Sequence, residues 1–458
     1  MFSTDTPLGK SNARPWSAAV ALALVILTAP AVFAQTTRQV PADAMIYDLK
    51  NPDPVRRKEA AASLGQNKIQ RATPDLVAAI GDTDASVRRA IVIALQQMQD
   101  PRAVPGFVTL SSDGEKDIRD RAIEGMTTAY LPRESGLVVT LNKVGTFFNP
   151  WSDEWGEVVI EPDLHVEQSV TDALRQRLRE DADGGLRGKA ARSLGILRAK
   201  DAVSDLATAL RGDKVNAVRF ESARALRKIG DASVGPQLVE LISYGDAKVR
   251  NEVVYTIGRL RYAAAVPQLT EQYTKEMAVT GHAIDRVFRE LLIGALAFIG
   301  DPSSKDLFMH EKANTDAALA LHAYEGLARI ADPSTLSEIS TDRLRTKDAK
   351  LLDAQAWALY RLGRKEFLTA VVDGLGDRRT NRESREYLLE LTHDQVPDLF
   401  PFTAHKDSNV REGLAEILGL VGDDRAVPAL QELSRDKSGE VADLASQALH
   451  RIGARKSA

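Results

Sequence analysis

The sequence has no cysteine among its 458 residues, which excludes a disulfide framework, a thiolate zinc site and a cysteine nucleophile. Aromatic residues make up only 5%, and the 30 glycines and 19 prolines are too few for a low-complexity chain. Neither charge is in excess, since 60 basic and 64 acidic residues leave a net charge of −4. This balance argues against a nucleic-acid partner, because neutralising phosphates needs an excess of Lys and Arg.

The first 34 residues have the pattern of an export signal. Lys10 and Arg14 form a positive region, residues 18–28 form an uncharged apolar stretch, and residues 32–34 offer a cleavage site before Gln35. We expect a cleaved signal peptide over residues 1–34 and an exported mature chain, periplasmic or extracellular, without stable membrane insertion.

The alternative for this segment is an uncleaved membrane anchor. The uncharged run over residues 15–37 is just long enough to span a bilayer. We favour the cleaved signal because the apolar stretch is short and a proline interrupts it early.

The rest of the chain repeats with a period of about 31 residues. Aligning the copies on one apolar residue, here called the anchor, gives twelve units. The anchors are Leu64, Leu95, Met126, Leu194, Leu226, Ile257, Leu296, Leu327, Leu359, Leu391, Leu418 and Leu449. Most steps are 31 or 32 residues long, and the exceptions are 68, 39 and 27. A fixed period of this size is typical of a repeat array.

Several other positions recur around the anchor. The residue eight before it is apolar in ten of twelve units, and the residue directly before it is small in ten of twelve. Helical spacing of the apolar positions predicts a first helix with one buried face. Five units then carry proline ten residues after the anchor, as at Pro236 and Pro428, which suits the start of a second helix. The sequence therefore predicts an all-α fold, an α-solenoid of about twelve stacked helical hairpins.

The repeated residues resemble those of a known family. Val218-Arg219, Leu226, Gly230-Asp231 and Pro236 follow the pattern of HEAT-like repeats of the phycobilisome-lyase type, and residues 410–430 repeat it. The resemblance covers about residues 42–453 without the insertion described next. It implies a HEAT-repeat fold, and it says little about function because such arrays serve as scaffolds, as adaptors and in a few enzymes. The units around residues 296–391 are the most divergent.

The 68-residue step contains an insertion that divides the chain. We expect a cap and repeats 1–3 over residues 35–129, the insertion over 130–168, and repeats 4–12 over 169–458. Two β-like runs, residues 137–141 and 157–160, predict a β-hairpin in the insertion. Between them lie the candidate partner-binding residues Phe147, Phe148, Trp151, Asp153, Glu154 and Trp155. They either anchor a partner or cover the junction between the third and fourth units.

An arginine stands seven residues before the anchor in eight units. These residues are Arg57, Arg88, Arg119, Arg187, Arg219, Arg250, Arg289 and Arg411. They form either an anion-binding track or a structural ladder paired with aspartates of the same or the next unit. We favour the ladder because aspartates occur in register and the net charge is negative.

Motifs for chemistry are scarce. The deoxyhypusine hydroxylases among HEAT-repeat enzymes hold two irons with repeated His-Glu pairs, whereas this chain has only His310-Glu311. The sequence also has no His-Glu-x-x-His, phosphate loop or nucleophile elbow. We therefore assign no catalytic residue, metal or cofactor.

The leading hypothesis is a non-enzymatic scaffold that binds a protein or peptide through its curved helical surface and the insertion. The alternative is an enzyme or lyase-like enzyme accessory that uses the inner helical surface.

Overall fold

The computed structural model describes residues 41–131, 158–161, 164–281 and 284–457. The predicted signal at 1–34, the first β-like run at 137–141 and all six candidate partner-binding residues between Phe147 and Trp155 lie outside these ranges. The chain divides into one unit over residues 1–41 and a second over residues 42–458, and the second contains every helix given below.

The first helix of each repeat, here called the anchor helix, contains the anchor or ends just before it. The anchor helices are α2 (Pro54–Gln66), α4 (Ala85–Met98), α6 (Lys116–Thr128), α8 (Gly184–Ile196), α10 (Asn216–Ile229), α12 (Ala247–Arg259), α14 (Arg286–Ile299), α16 (Ala317–Ile330), α18 (Ala349–Arg361), α20 (Asn381–Leu389), α21 (Ser408–Val421) and α23 (Gly439–Ser457). Successive anchor helices pack against each other along the array. Eleven of the twelve anchors lie in the buried core between them, and Leu449 is partly buried against it.

A second helix follows in all but the last repeat, and it is shorter than the anchor helix except in the third and sixth repeats, where the two have equal lengths. These are α3 (Thr73–Ala78), α5 (Val104–Leu110), α7 (Gln168–Glu180), α9 (Val203–Gly212), α11 (Gly235–Val239), α13 (Val266–Ala278), α15 (Lys305–Glu311), α17 (Leu336–Arg345), α19 (Leu368–Gly374) and α22 (Val427–Leu433), with a 3₁₀ helix (Val396–Phe402) in the tenth repeat. A lone helix α1 (Ala42–Asp48) precedes the first repeat. This order confirms the predicted all-α solenoid.

The described part of the insertion is irregular. Residues 158–160, in the second predicted β-like run, form no strand, and the other described ranges contain none either. Val158 and Ile160 are nevertheless buried in the core, and the Ile160 N–H donates to the carbonyl of Ile196 at 3.0 Å. The end of the insertion therefore packs on the carboxyl end of α8. Within the described ranges, no helix combines the length and apolarity that crossing a membrane requires.

The small residues beside the anchor allow the anchor helices to approach closely. Gly195 follows one anchor, and a Cβ added there would lie 2.6 Å from the Cα of Ala225, which precedes the next anchor. The same pairing brings Gly65 against Ala94, and Gly258 against Ala295. At these points backbone meets backbone, so the position needs glycine on one helix and a small residue on the other.

The anchor helices end in a recurrent left-handed turn four residues after the anchor. Gly230, Gly300 and Gly363 take positive φ there, as glycine does readily. Five other repeats place a non-glycine residue in the same conformation, with φ of 50–52°: Lys68, Gln99, Arg198, Arg261 and Ala331. For an L-residue this conformation costs about 1–2 kcal/mol, so the chain carries repeated small strain at one turn.

We predict that Gly195→Ala destabilises the array by about 1–3 kcal/mol, because the new methyl group must push α8 and α10 apart. The measurement is the free energy of unfolding in urea. Gly212→Ala is the matched control, since a Cβ there meets no atom within 4 Å. Equal stability of the two variants would show that the close approach is not needed.

We predict that Ala331→Gly stabilises the protein by about 1 kcal/mol, because glycine adopts the left-handed turn without steric cost. Gly230→Ala changes the equivalent turn in the opposite direction and should destabilise by a similar amount. Both changes are measured as shifts of the urea midpoint. Shifts of the same sign would contradict the assignment.

Candidate functional site

The arginine column forms a ladder between neighbouring repeats. Six of the eight arginines pair with an aspartate: Arg57 with Asp82 (2.5 Å), Arg88 with Asp113 (2.6 Å), Arg119 with Asp181 (2.8 Å), Arg187 with Asp213 (2.7 Å), Arg250 with Asp285 (2.7 Å) and Arg411 with Asp436 (2.6 Å). Arg88 shows the common geometry, since its Nη1 also donates to the carbonyls of Asp82 and Thr83. The same two contacts, to backbone carbonyls before the arginine's own helix and to an aspartate before the next anchor helix, are made by Arg57, Arg88, Arg119, Arg187 and Arg411.

The two remaining arginines bind the backbone. Arg219 donates to the carbonyls of Asp213 and Leu210, and Arg289 donates to those of Glu276 and Val279. All eight guanidinium groups are thus engaged in joining helices. This pairing is the geometry that the predicted structural ladder requires.

Side chains from non-adjacent repeats meet on the inner face of the anchor helices. Arg329 on α16 binds Glu390 at 2.6 Å, which skips one repeat, and Arg261 after α12 binds the same carboxylate at 2.9 Å, which skips three. Contacts of this kind require the anchor helices to converge on one side of the array. That side is therefore the inside of the superhelix.

A chain of hydrogen-bonding groups occupies this converging region. His322 Nδ1 lies 2.8 Å from Glu325 Oε2, and the Tyr387 hydroxyl donates to Glu325 Oε1 at 2.8 Å. On its other side, His322 Nε2 lies 3.8 Å from Glu290. We call Glu290, His322, Glu325, Arg329, Tyr387 and Glu390 the inner charge cluster. It joins α14, α16 and α20.

The electrostatics of the cluster favour charged pairs. Burial lowers the pKa of His322, but Glu325 and Glu290 outweigh it and raise that pKa to about 9. Burial raises the pKa of Glu325, yet His322 and Arg329 hold it at about 2. Near neutral pH the histidine is therefore a cation held between carboxylates. Such a locked pair is poorly suited to acid–base catalysis, which works best with a pKa near the working pH.

Trp357 and Asp353 on α18 border the cluster. The Trp357 ring is fully buried and stacks on Tyr387 with centroids 5.6 Å apart. Asp353 is 5% exposed, and burial raises its pKa to about 8 although the Ser384 hydroxyl donates to it at 2.7 Å. Its Oδ1 and the Trp357 Nε1 have no hydrogen-bond partner among the described residues. Asp353 is thus a buried acid that is mostly protonated near neutral pH.

A second concentration of charge lies on the inner side of repeats 4 and 5. Arg192 on α8 pairs with Glu221 on α10 at 2.7 Å. Arg224 and Lys228 on α10 are only 1% and 6% exposed. Arg227 pairs with Glu252 on α12 at 3.0 Å.

Aromatic rings accompany the cations, with Arg224 over Phe220 at 4.4 Å and Arg227 over Tyr255 at 4.9 Å. We call Arg192, Arg224, Arg227 and Lys228 the basic inner face.

The sequence patterns did not identify either group, although a signal for both exists. Lys228, Arg329 and Arg361 all stand two residues after an anchor, outside the apolar stripe. Glu390 occupies the position before the anchor that is small in ten of twelve units. The inner charge cluster also lies in the divergent repeats. The sequence signal for these side chains is a charged residue at a repeat position where most other units have a different type of residue.

The predicted partner-binding residues cannot be placed beside these groups, since Phe147, Trp151 and their neighbours are outside the described ranges. The described flank shows one further contact, because Glu161 binds Arg451 on α23 at 2.7 Å. The end of the insertion is thereby joined to the last repeat. Among the described residues, no group of three or more His, Asp or Glu side chains is arranged to hold a metal ion.

Comparison with known families identifies repeats of this chain as HEAT repeats. The family model for HEAT repeats matches residues 42–127 and 171–244, and the model for the PBS lyase HEAT-like repeat matches residues 410–436. The matched ranges lie on either side of the inner charge cluster. No relative among curated proteins matches this chain.

Several solved structures are similar to this chain in the arrangement of their helices. Yeast importin-β is 11% identical with a TM-score of 0.49, over 93% of this chain and 64% of that one. An importin-β crystallised with ammonium sulfate is 12% identical with a TM-score of 0.44, over 90% and 62%. An engineered protein is 17% identical with a TM-score of 0.41, over 90% and 98%. This chain spans less than two thirds of either importin-β chain.

We predict that Asp353→Asn stabilises the protein as the pH rises from about 4 to about 8. Over this interval the unfolded chain releases the proton while the folded carboxyl, with its pKa raised by burial to about 8, retains it. Stability is therefore lost with rising pH, by up to about 1.4 kcal/mol per pH unit. Asparagine removes this titration.

The measurement is the melting temperature of both proteins at pH 4.5 and pH 7.5. The gain from Asp353→Asn should appear at the higher pH and nearly vanish at the lower. Asp306→Asn, at an exposed position, is the control and should leave the pH dependence unchanged. A gain of the same size at both pH values would contradict the buried protonated carboxyl.

Proposed function

Because this chain is a HEAT-repeat protein, we propose that it is an exported, non-enzymatic scaffold that binds a protein or peptide. Binding uses the inner side of the anchor helices and the insertion with Phe147, Phe148, Trp151, Asp153, Glu154 and Trp155. A repeat array suits this task, since stacking helical hairpins produces one long continuous surface.

The basic inner face is the observation that carries the proposal. It places four cations on two neighbouring anchor helices, next to the carboxylates Glu221 and Glu252 and the rings of Phe220 and Tyr255. Guanidinium groups bind carboxylates through paired, charge-assisted hydrogen bonds, and cations also attract aromatic faces. Of the four cations, Arg192 keeps 30% of its side chain exposed, and this exposed part suits contact with an acidic side chain of a polypeptide.

Export is supported by the sequence pattern of residues 1–34, with its positive region, apolar stretch and cleavage site. The absence of cysteine is compatible with an oxidising compartment, because no thiol is available for unwanted pairing. The proposed location is the periplasm or the extracellular medium.

The alternative function, an enzyme or enzyme accessory, has one observation in its favour. Glu290, His322, Glu325 and Tyr387 converge on the inner surface. The pKa values of about 9 for His322 and about 2 for Glu325 lie on opposite sides of neutrality, which favours a structural clamp. We therefore rank the scaffold first.

The test is crosslinking capture by the chain that starts at Gln35, used as bait in envelope extract or medium of its own source. Arg192→Ala should reduce capture of the partner at least fivefold, because the partly exposed cation of the basic inner face is lost. Partner recovery is quantified by mass spectrometry.

Lys200→Ala combined with Lys214→Ala removes two exposed cations from the same repeats and should leave capture unchanged. Circular dichroism checks that both variants keep their helices. Undiminished capture by the first variant, or equal losses in both, would refute the basic inner face as the binding surface.

A further inference from the structure

We propose that the inner surface of repeats 6 to 10 binds a tetrahedral dianion, such as inorganic phosphate or the phosphate group of an ester. The site consists of Arg259, Arg261, Arg329 and Arg361, here called the arginine cluster. It is separate from the basic inner face of repeats 4 and 5, and it does not depend on the proposed function.

Three of these arginines share one position in the repeat. Arg259, Arg329 and Arg361 stand two residues after the anchors of repeats 6, 8 and 9. Phe298 holds the same position in repeat 7. The guanidinium carbons of Arg259 and Arg329 lie 4.9 and 4.7 Å from the centre of the Phe298 ring. Equivalent positions on stacked anchor helices thus bring cations of different repeats to one ring.

A single carboxylate lies among three of the cations. Glu390 binds Arg329 at 2.6 Å and Arg261 at 2.9 Å, and Arg261 keeps 53% of its side chain exposed. Arg361 faces the same carboxylate, since burial lowers the pKa of Arg361 whereas the charge of Glu390 raises it. The charges of Arg329 and Arg261 lower that pKa further. Positive charge is therefore in excess around Glu390.

Two of the guanidinium groups have donors that can reach a ligand. Arg361 is half-buried and Arg259 is exposed, and neither has a hydrogen bond or an ion pair to another described residue. Both contact ring faces instead, Arg361 over Trp357 at 5.5 Å and Arg259 over Phe298. A guanidinium group that lies over a ring keeps the N–H donors on its edge, and their planar arrangement matches the oxygens of a phosphate.

The number of charges indicates a dianion. Glu386 is the second carboxylate of this surface, since burial raises its pKa whereas the charges of Arg259 and Arg329 lower it. Four arginines therefore face two carboxylates, Glu386 and Glu390. Even with both carboxylates charged, two positive charges remain, which one dianion balances.

The charged groups packed beside the arginine cluster balance one another. They are three carboxylates and three cations joined by ion pairs: Glu290 and Glu325 with His322, and Glu383 with Lys350 and Arg382. His322 counts as a cation because its pKa is raised to about 9. These groups leave the excess of two positive charges unchanged.

Titration calorimetry with inorganic phosphate tests the site. The chain that starts at Gln35 is used at pH 8 and low ionic strength, where phosphate is a dianion and screening is weak. Arg361→Gln should weaken phosphate binding about tenfold or more, because a charge-assisted hydrogen bond to the anion is lost. Arg286→Gln is the matched control, since it removes an exposed arginine at the other end of α14 from Phe298, and it should leave binding unchanged.

Two further variants test the site if Arg361→Gln does not fold. Arg259→Gln removes an exposed cation and should weaken binding about threefold or more. Glu390→Gln should strengthen binding by a similar factor, because the carboxylate no longer competes for Arg261 and Arg329. Circular dichroism shows whether each variant keeps its helices.

Other anions define the class of ligand. Sulfate, which is also a tetrahedral dianion, should displace phosphate, whereas acetate should bind about tenfold more weakly because it carries one charge. Tighter binding of methyl phosphate than of inorganic phosphate would assign the site to a phosphate ester, and the reverse order would assign it to the free ion.

Three results would overturn the proposal. They are the absence of saturable phosphate binding to the unaltered chain, equal weakening by Arg361→Gln and Arg286→Gln, and acetate binding as tight as phosphate binding. None of these measurements involves capture of a polypeptide partner, so the scaffold function stands or fails separately.

Discussion

The close approach of successive anchor helices is the constraint on which the rest of the structure depends. Gly195 against Ala225 lets the two backbones touch, and the same arrangement recurs at Gly65 and Gly258. Helices that approach this closely on one side allow the array to curve toward that side. Curvature then brings polar residues of distant repeats together on the inside, as Glu390 shows by binding both Arg261 and Arg329.

This convergence explains why the inside of the superhelix is rich in buried charge. Side chains on the inner side of the anchor helices would face water in a straight array, whereas here they face other repeats. Removing charges from water is costly unless they are paired, and the observed pairs, such as His322 with Glu325, meet that requirement. The divergent repeats around residues 296–391 contain residues that bind partners in non-adjacent repeats, as Arg329 binds Glu390.

The sequence predicted the repeat number, the two-helix unit and the arginine column, because all of these depend on local periodicity. It did not separate the roles of neighbouring aspartates. Asp84 caps α4, whereas Asp82, two residues earlier, binds Arg57. Nor did it find the inner charge cluster, because pairing between Arg261 and Glu390 depends on how tightly the array winds, and that is a sum of small angles over several repeats. The β-like run at 157–160 illustrates the reverse error, since Val158 and Ile160 are apolar because they are buried, without a strand.

The bond between Glu161 and Arg451 has a consequence for cooperativity. A solenoid normally transmits a disturbance only from neighbour to neighbour, so its two ends can fray independently. This contact, across 290 residues of sequence, joins the twelfth repeat to the end of the insertion, which packs on α8 of the fourth repeat. Unfolding of the last helix breaks the ion pair with Glu161. Loss of the Glu161 contact in turn removes one interaction that holds the last helix. Repeats 4 to 12, which lie between the two joined residues, should therefore unfold more cooperatively than repeats without such a contact.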